Sequence, residues 1–137
     1  MLGTSCGTLG GRALLAHTYD GTNGWQPHMH PDVLFIFNDN LHGHGRGGNA
    51  SVRGAPNALG LPTGEYVDGQ PRGFRRLDAR VRRELSGFVA RLRHKLSGFA
   101  FSTVVYSGTC DALAVNTFHV AMTVRRAAVA AIRAGMQ

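Results

Sequence analysis

The sequence predicts one small α/β domain, and three observations carry that expectation. Val33-Leu34-Phe35-Ile36-Phe37 is a continuous apolar run, rich in β-branched and aromatic residues, as in a strand buried on both faces. Leu77, Val81, Leu85, Phe88, Val89, Leu92 and Leu96 fall on a single arc at helical spacing. A second apolar run, Phe99 to Tyr106, follows, and an alanine-rich segment closes the chain. The order is strand, Gly-rich loop, helix, strand, Gly loop, helix, an α/β pattern with loops gathered where strands end. Over 137 residues this is a single domain, 1–137, built in two or three layers. It is long enough to bury roughly two-thirds of its unfolded surface.

Taken in order, residues 1–31 read as an irregular Gly/Thr/His-rich segment with one edge strand, Ala13 to Ala16, ending near Tyr19. The Val33–Phe37 strand is expected to stop abruptly at Asn38-Asp39-Asn40, which are turn residues. Residues 43–73 hold nine glycines together with Pro56, Pro62 and Pro71, and read as one long irregular loop. A long ordered loop in a compact domain is usually functional. Asp78 can cap a helix running to about Ser97. Arg80, Arg82, Arg83, Arg91 and Arg93 spread over its remaining surface, as a solvated face does. The strand from Phe99 to Tyr106 ends in Ser107-Gly108-Thr109. Thr117 is expected to cap a closing helix whose Ala121, Ala127, Ala128 and Ala131 allow close packing on a sheet.

Composition narrows the function classes. With 43% hydrophobic and 17% charged residues, the chain is no disordered polyelectrolyte. No apolar run approaches the roughly 18 residues of a membrane span. No basic n-region precedes the first apolar stretch, so no secretory signal is expected. Fifteen basic residues stand against eight acidic ones, a net charge of +7, and Lys95 is the only Lys. Arg presents a planar fork to phosphate that Lys lacks, so the excess points to an anionic partner, with a GC-rich coding genome as the alternative source of Arg without Lys. Cys6 and Cys110 are too few for a disulfide framework or a four-Cys zinc site, and a reducing, cytoplasmic setting is expected. Cys110 reads as a small core cysteine, with a nucleophile near a helix start as the lesser reading.

The chemistry concentrates after the first buried strand. Gly43, Gly45 and Gly48 satisfy G-x-G-x-x-G, a pattern that lets backbone N–H groups approach a phosphate. Pro56 stops any following helix too early for a Rossmann crossover, which leaves a phosphate-cradling loop. Asp39, ending the strand beside that loop, is the candidate catalytic residue, as general base or ribose ligand; turn capping through its own backbone is the alternative. His28 and His30, and His42 and His44, form two HxH pairs. On a strand each pair would share a face and could offer two imidazoles to a metal, but a polar loop is the favoured reading. No cofactor is called for.

The segment FIFNDNLHGHGRGGNASVRGAPNALGLPTG resembles the signature of an uncharacterised bacterial and phage family: Phe-Gly-Asp-Asn, a spacer, Gly-Arg-Gly-Gly-Gln-Ala, then Arg-Gly-x-Pro-Asn-Ala-x-Gly-Ile-Pro-Thr-Lys. Matching positions include Asp39, Asn40, Gly45, Arg46, Gly47, Gly48, Ala50, Arg53, Gly54, Pro56, Asn57, Ala58, Gly60, Pro62 and Thr63. Four positions depart from it: Asn38 for Gly, Asn49 for Gln, Gly64 for Lys, and Cys110 for the second Gly of a later loop. More broadly, the layout is similar to a macro domain, whose members bind ADP-ribose and in some cases hydrolyse ADP-ribosyl bonds. That resemblance implies a macro-like or Rossmann-like domain binding a nucleotide diphosphate. Asn40, Gly45, Arg46, Gly47, Gly48, Arg53, Asn57 and Thr63 would then bind ligand on one side, and Ser107, Gly108 and Thr109 on the other.

Two further classes stay open. One is a nucleic-acid-binding module using Arg72, Arg75, Arg76, Arg80, Arg82 and Arg83, with Trp25, Tyr66 and Phe74 as stacking platforms. The other is a phage-type accessory protein that binds a host protein or signalling nucleotide in the host cytoplasm. No membrane partner is expected.

Overall fold

A computed structural model describes residues 3–17, 26–114 and 118–137. Among these, six strands form one mixed sheet in the order β1-β2-β6-β3-β4-β5. The strands are β1 (Thr4–Leu9), β2 (Arg12–Ala16), β3 (Val33–Asn40), β4 (Ala58–Val67), β5 (Gln70–Gly73) and β6 (Thr103–Tyr106). The helices are α1 (Ala79–Gly98) and α2 (Met122–Met136). The four inner strands run parallel, and β1 and β5 pair antiparallel at the two edges. The α/β class expected from the sequence is the class observed.

Alternation along β3 sorts the core into two clusters. Leu34 and Ile36 pack with Val81, Leu85, Phe88 and Leu92 of α1 and Val124, Ala128 and Ile132 of α2. Val33, Phe35 and Phe37 face the other way, against Ala50 and Val52 of a short 3-10 helix, Gly48–Val52. The β3–β4 connection moves one way along the sheet, and the α1 connection from β5 to β6 returns the other way. The Gly48–Val52 helix of the β3–β4 crossover lies on one face of the sheet, while α1, on the return from the β4–β5 hairpin to β6, and α2, which leads to no further strand, pack on the other.

The helix expected from Asp78 to about Ser97 runs where its caps place it. Asp78 Oδ1 accepts from Val81 N at 2.9 Å, satisfying one of the free donors of the first turn. At the far end Arg12 donates to the carbonyls of Leu96 (2.9 Å) and Phe101 (3.0 Å), taking up a carbonyl of the last turn. Gly135 of α2 lies where any side chain would overlap Leu92 of α1, so the two helices meet closely there.

Other boundaries differ from expectation. β3 does not stop at Phe37 but continues through Asn40, because its pairing with β4 extends to Asn40↔Gly64. Residues 43–73 are not one loop, since β4 and β5 occupy 58–67 and 70–73. Ala13–Ala16 lies within β2, an inner strand; the edge is β1, which the Gly/Thr composition concealed. β6 is shorter than Phe99–Tyr106. Thr117 and Tyr19 lie outside the described residues, and α2 begins at Met122 after Ala121. No helix starts beside Cys110. Among the described residues no helix is long and apolar enough to cross a membrane.

The cysteines overturn another expectation. Cys6 of β1 and Cys110 of the loop after β6 are joined in a disulfide, Cα to Cα 5.3 Å, across 104 positions of chain. Cys110 is therefore neither a free core thiol nor a nucleophile. β1 buries little, with four of its six residues exposed, so the covalent tie and the β1–β2 ladder hold that edge. Beneath it Tyr106 is fully buried and donates its hydroxyl to Thr109 O at 2.5 Å.

Two measurements check this region. Replacing both cysteines by Ser should cost about 2–5 kcal/mol in denaturant unfolding, given the length of the closed loop. Reductant should lower wild-type stability to the level of the double variant and leave the variant unmoved. Burial pushes the Tyr106 phenol up to about 12, with Asp111 adding to the rise and Arg133 opposing it. A raised phenol is protonated in the folded state where the unfolded chain is already losing its proton. Tyr106 therefore contributes stability below about pH 10 that is lost as pH rises toward 12. One tyrosinate absorbance step should titrate near 12 and vanish in Tyr106→Phe.

Candidate functional site

A cleft of roughly 200 Å³ opens at the carboxyl ends of β3 and β4. Its floor is Asp39 and Asn40 of β3 with Thr63, Gly64 and Tyr66 of β4; Gly45, Gly47, Asn49 and Arg53 form one wall, and Arg72, Phe118 and Val120 the other. Segment 118–120 is brought there by Ala121 N donating to Phe74 O at 2.9 Å.

One ion pair organises the first wall. Arg53 Nη2 meets Asp39 Oδ1 at 2.6 Å, and Arg53 Nε donates to Gly45 O at 2.8 Å. The guanidinium lies over the Phe37 ring, 5.0 Å from its centroid. Both side chains are nearly buried, at 17% and 16% exposure, where an unpaired charge would be costly. Asp39 Oδ1 also accepts from Asn40 N at 2.7 Å. Its Oδ2 lies against Gly60 of the neighbouring strand, where a Cβ would overlap it. Asp39 is thus held by Arg53, while Asn40 does the turn chemistry: its Oδ1 accepts from His42 N (2.9 Å) and its Nδ2 donates to His44 O (2.7 Å).

The ladder between β3 and β4 is irregular at this point. Asp39 pairs with Pro62 and Asn40 with Gly64, leaving Thr63 as the extra residue. Pro62 brings no N–H, and the Asp39 carbonyl accepts instead from Thr63 Oγ1 at 3.2 Å. On the other flank β6 ends opposite Ile36, so the next N–H of β3 on that side has no strand to meet. Asn49 supplies the acceptor: Asn38 N donates to Asn49 Oδ1 at 2.9 Å, Asn49 Nδ2 lies 3.3 Å from Asn38 Oδ1, and Asn38 Nδ2 donates to Ala114 O at 2.8 Å. The two departures at positions 38 and 49 are therefore partners. A third, Gly64, faces the Arg72 carbonyl of β5 where a Cβ would stand. No Lys fits at 64, and the cation of the cleft is Arg72, one register step away, opposite Glu65.

Charge in the cleft is unequal. Asp39 is paired with Arg53, and Glu65 with Arg80 at 2.6 Å, whereas Arg72 makes no side-chain bond among the described residues. At the mouth His44 stacks on Tyr66 (centroids 5.2 Å, interplanar 24°) with His42 edge-on at 5.3 Å. Backbone N–H groups of residues 44–48 bond to no protein acceptor among the described residues. Nothing stands within 4 Å of a Cβ built on Gly45 or Gly47.

The residues singled out from sequence divide three ways. Asp39, Asn40, Gly45, Gly47, Arg53 and Thr63 come together in the cleft. Arg46 faces a second, larger groove of about 590 Å³ across the Gly48–Val52 helix, with Pro27, Phe99 and Phe101; Gly48 begins that helix. Asn57 is buried and its amide is directed at the Pro27, His30 and Val33 carbonyls, each at 3.0 Å. Ser107, Gly108 and Thr109 do not reach the cleft. Their turn closes on itself, with Thr109 N donating to Ala112 O (3.0 Å) and Thr109 Oγ1 accepting from Asp111 N and Ala112 N. The His pairs lie on no strand: His28 is in a 3-10 turn, Pro27–Met29, and His42 and His44 are in the loop after β3. Among the described residues no three His, Cys, Asp or Glu side chains converge. Glu65, Asn49 and Phe118 were not expected in the cleft. The alternation within β4 could have pointed to Glu65, but its glycines and proline mask the strand.

The fold and cleft define a small mixed α/β domain with a glycine-walled pocket at the carboxyl ends of β3 and β4. Residues 23–108 match DUF7831, a family of unknown function, and the chain belongs to that family. The match runs through β3, β4, β5, α1 and β6, and leaves β1, β2, α2 and both disulfide cysteines outside it. No curated protein and no solved structure matches the chain.

The contact between Asp39 and Gly60 is directly testable. Gly60→Ala should cost about 1–3 kcal/mol in chemical denaturation, as overpacking does. In an Asp39→Gly background most of that cost should disappear, because both the overlapping carboxylate and the Cβ beneath it are gone. An equal cost in both backgrounds would place the clash elsewhere.

Proposed function

We propose that the cleft binds a nucleotide diphosphate of the ADP-ribose class. The carrying observation is the charge inequality: both carboxylates lining the cleft are ion-paired, while Arg72 is not, so the pocket's uncompensated charge is positive. The open glycine wall supports the same reading. Residues 44–48 offer unpartnered N–H groups beside Gly45, whose φ of +101° turns the backbone in a way suited to anion-binding concavities. The resemblance of the β3 end and its glycine loop to macro domains supports it too, although the Ser107–Thr109 turn takes no part in the cleft. In this reading Asn40 stands by the ribose, Gly47 and its neighbours by the phosphates, and Arg72 supplies the cation that the resembled pattern places at position 64. Hydrolysis is the further step, with Asp39 as its candidate general base.

A thermal-shift series with ADP-ribose, ADP and AMP tests this reading. Ligand at about a hundredfold excess over Kd should stabilise the fold by about 2.7 kcal/mol, several degrees in Tm. Gly47→Glu should abolish the shift without lowering the unliganded Tm, since position 47 has open space and an ordinary φ. Absence of a shift with every nucleotide would remove the proposal.

A further inference from the structure

The arginines of this chain have three kinds of employment. Arg12, Arg93, Arg125 and Arg133 donate to backbone carbonyls, and Arg53 and Arg80 meet carboxylates. Arg72, Arg75 and Arg76 do neither, and nor do Arg46, Arg82, Arg83, Arg91 and Arg126: all are exposed and make no side-chain bond among the described residues, but only the first three are grouped beside the cleft. They line one depression between β5 and the start of α1, which shares Glu65, Arg72 and Gly73 with the cleft and so opens directly beside it. That depression holds two acids, and both are committed. Glu65 is paired with Arg80, and Asp78 caps α1.

The backbone that carries these cations is anchored. Phe74, between Arg72 and Arg75, is buried; its N–H donates to Thr63 O at 2.8 Å and its carbonyl accepts from Ala121 N at 2.9 Å. Three like charges are therefore held near one another by the fold, at an electrostatic cost that a bound polyanion would relieve. A free nucleotide in the cleft would meet Arg72 and the glycine wall, and leave Arg75 and Arg76 unused. Flat rings stand at the same mouth: His44 stacked on Tyr66, and Phe118 at 46% exposure across the cleft. Cations that track a backbone next to rings that accept a base face are the two components of single-strand recognition. A duplex keeps its bases stacked inside, beyond the reach of a concave pocket, and an acidic peptide brings no ring for the platform.

Resting on the nucleotide reading above, we infer that the cleft takes its nucleotide as a unit of a single-stranded nucleic acid, with Arg72, Arg75 and Arg76 holding the phosphates that lead away from it. The test is fluorescence anisotropy on the full chain with a labelled single strand of about ten nucleotides, within the ~4–16 that small domains cover. The strand should bind at least tenfold tighter than ADP at low salt. Three phosphate contacts give a slope of about −2 in log K against log salt, roughly a sixteenfold loss between 50 and 200 mM. Arg75→Glu/Arg76→Glu should remove this advantage and leave the ADP thermal shift unchanged. Gly47→Glu should weaken strand and ADP alike, and ADP should compete with the strand. A strand bound no tighter than ADP would overturn the inference while leaving the nucleotide reading standing. Strand binding that survives Gly47→Glu and ignores ADP would overturn it as well, since the strip would then act without the cleft. Binding of polyglutamate as tight as that of the strand would do the same, because acidity alone would suffice.

Discussion

Much of the molecule's active end hangs on one guanidinium. Arg53 leaves the end of the Gly48–Val52 helix, crosses the Phe37 ring, and reaches both the Asp39 carboxylate and the Gly45 carbonyl. These contacts buckle the glycine segment back onto the strand it came from, so a chain without regular backbone bonds acquires a fixed shape. The carboxylate in turn presses on the neighbouring strand and admits only glycine at position 60. A partly buried charge that must stay paired is a strong constraint on conformation even where its net contribution to stability is small. Here it determines the wall of a cleft.

The same economy appears in the ladder around that pair. A parallel sheet with proline in an inner strand should lose a bond, and β4 carries Pro62 directly opposite Asp39. The irregularity brings Thr63 to the Asp39 carbonyl, and on the opposite flank Asn49 stands in for the strand that β6 no longer provides. Side chains complete the hydrogen bonding at a point where the sheet itself opens. That opening is the cleft. A fully paired sheet end would have had no room for it.

β3 and α1 were readable because each announces itself through many residues: an unbroken apolar run, and a seven-membered arc behind an Asp cap. β4 was not, because Gly60, Pro62 and Gly64 each look like a turn signal while each serves a strand. Gly60 makes room for Asp39, Pro62 sits at the ladder's irregularity, and Gly64 lies under the Arg72 carbonyl. Of the candidate site, the residues local to the end of β3 were found. Arg72 was named only for its charge, and Phe118 not at all, since both reach the cleft from chain that sequence distance separates from it. Asn57 carried a ligand role in the sequence reading and proves to clip three backbone carbonyls.

By itself, then, the sequence determined the fold class, the faces of the main helix and the place where glycine replaces side chains, because hydrophobic period and turn chemistry act over a few residues. Tertiary structure alone decided which charges cancel, which cysteines meet and which arginines are left over. Cys6 and Cys110 are 104 positions apart and become neighbours only when β1 folds against β2. Asp39 and Arg53, and Glu65 and Arg80, find each other across strand and helix. The sign of the cleft is the remainder after those pairings, and no count of charges along the chain contains it.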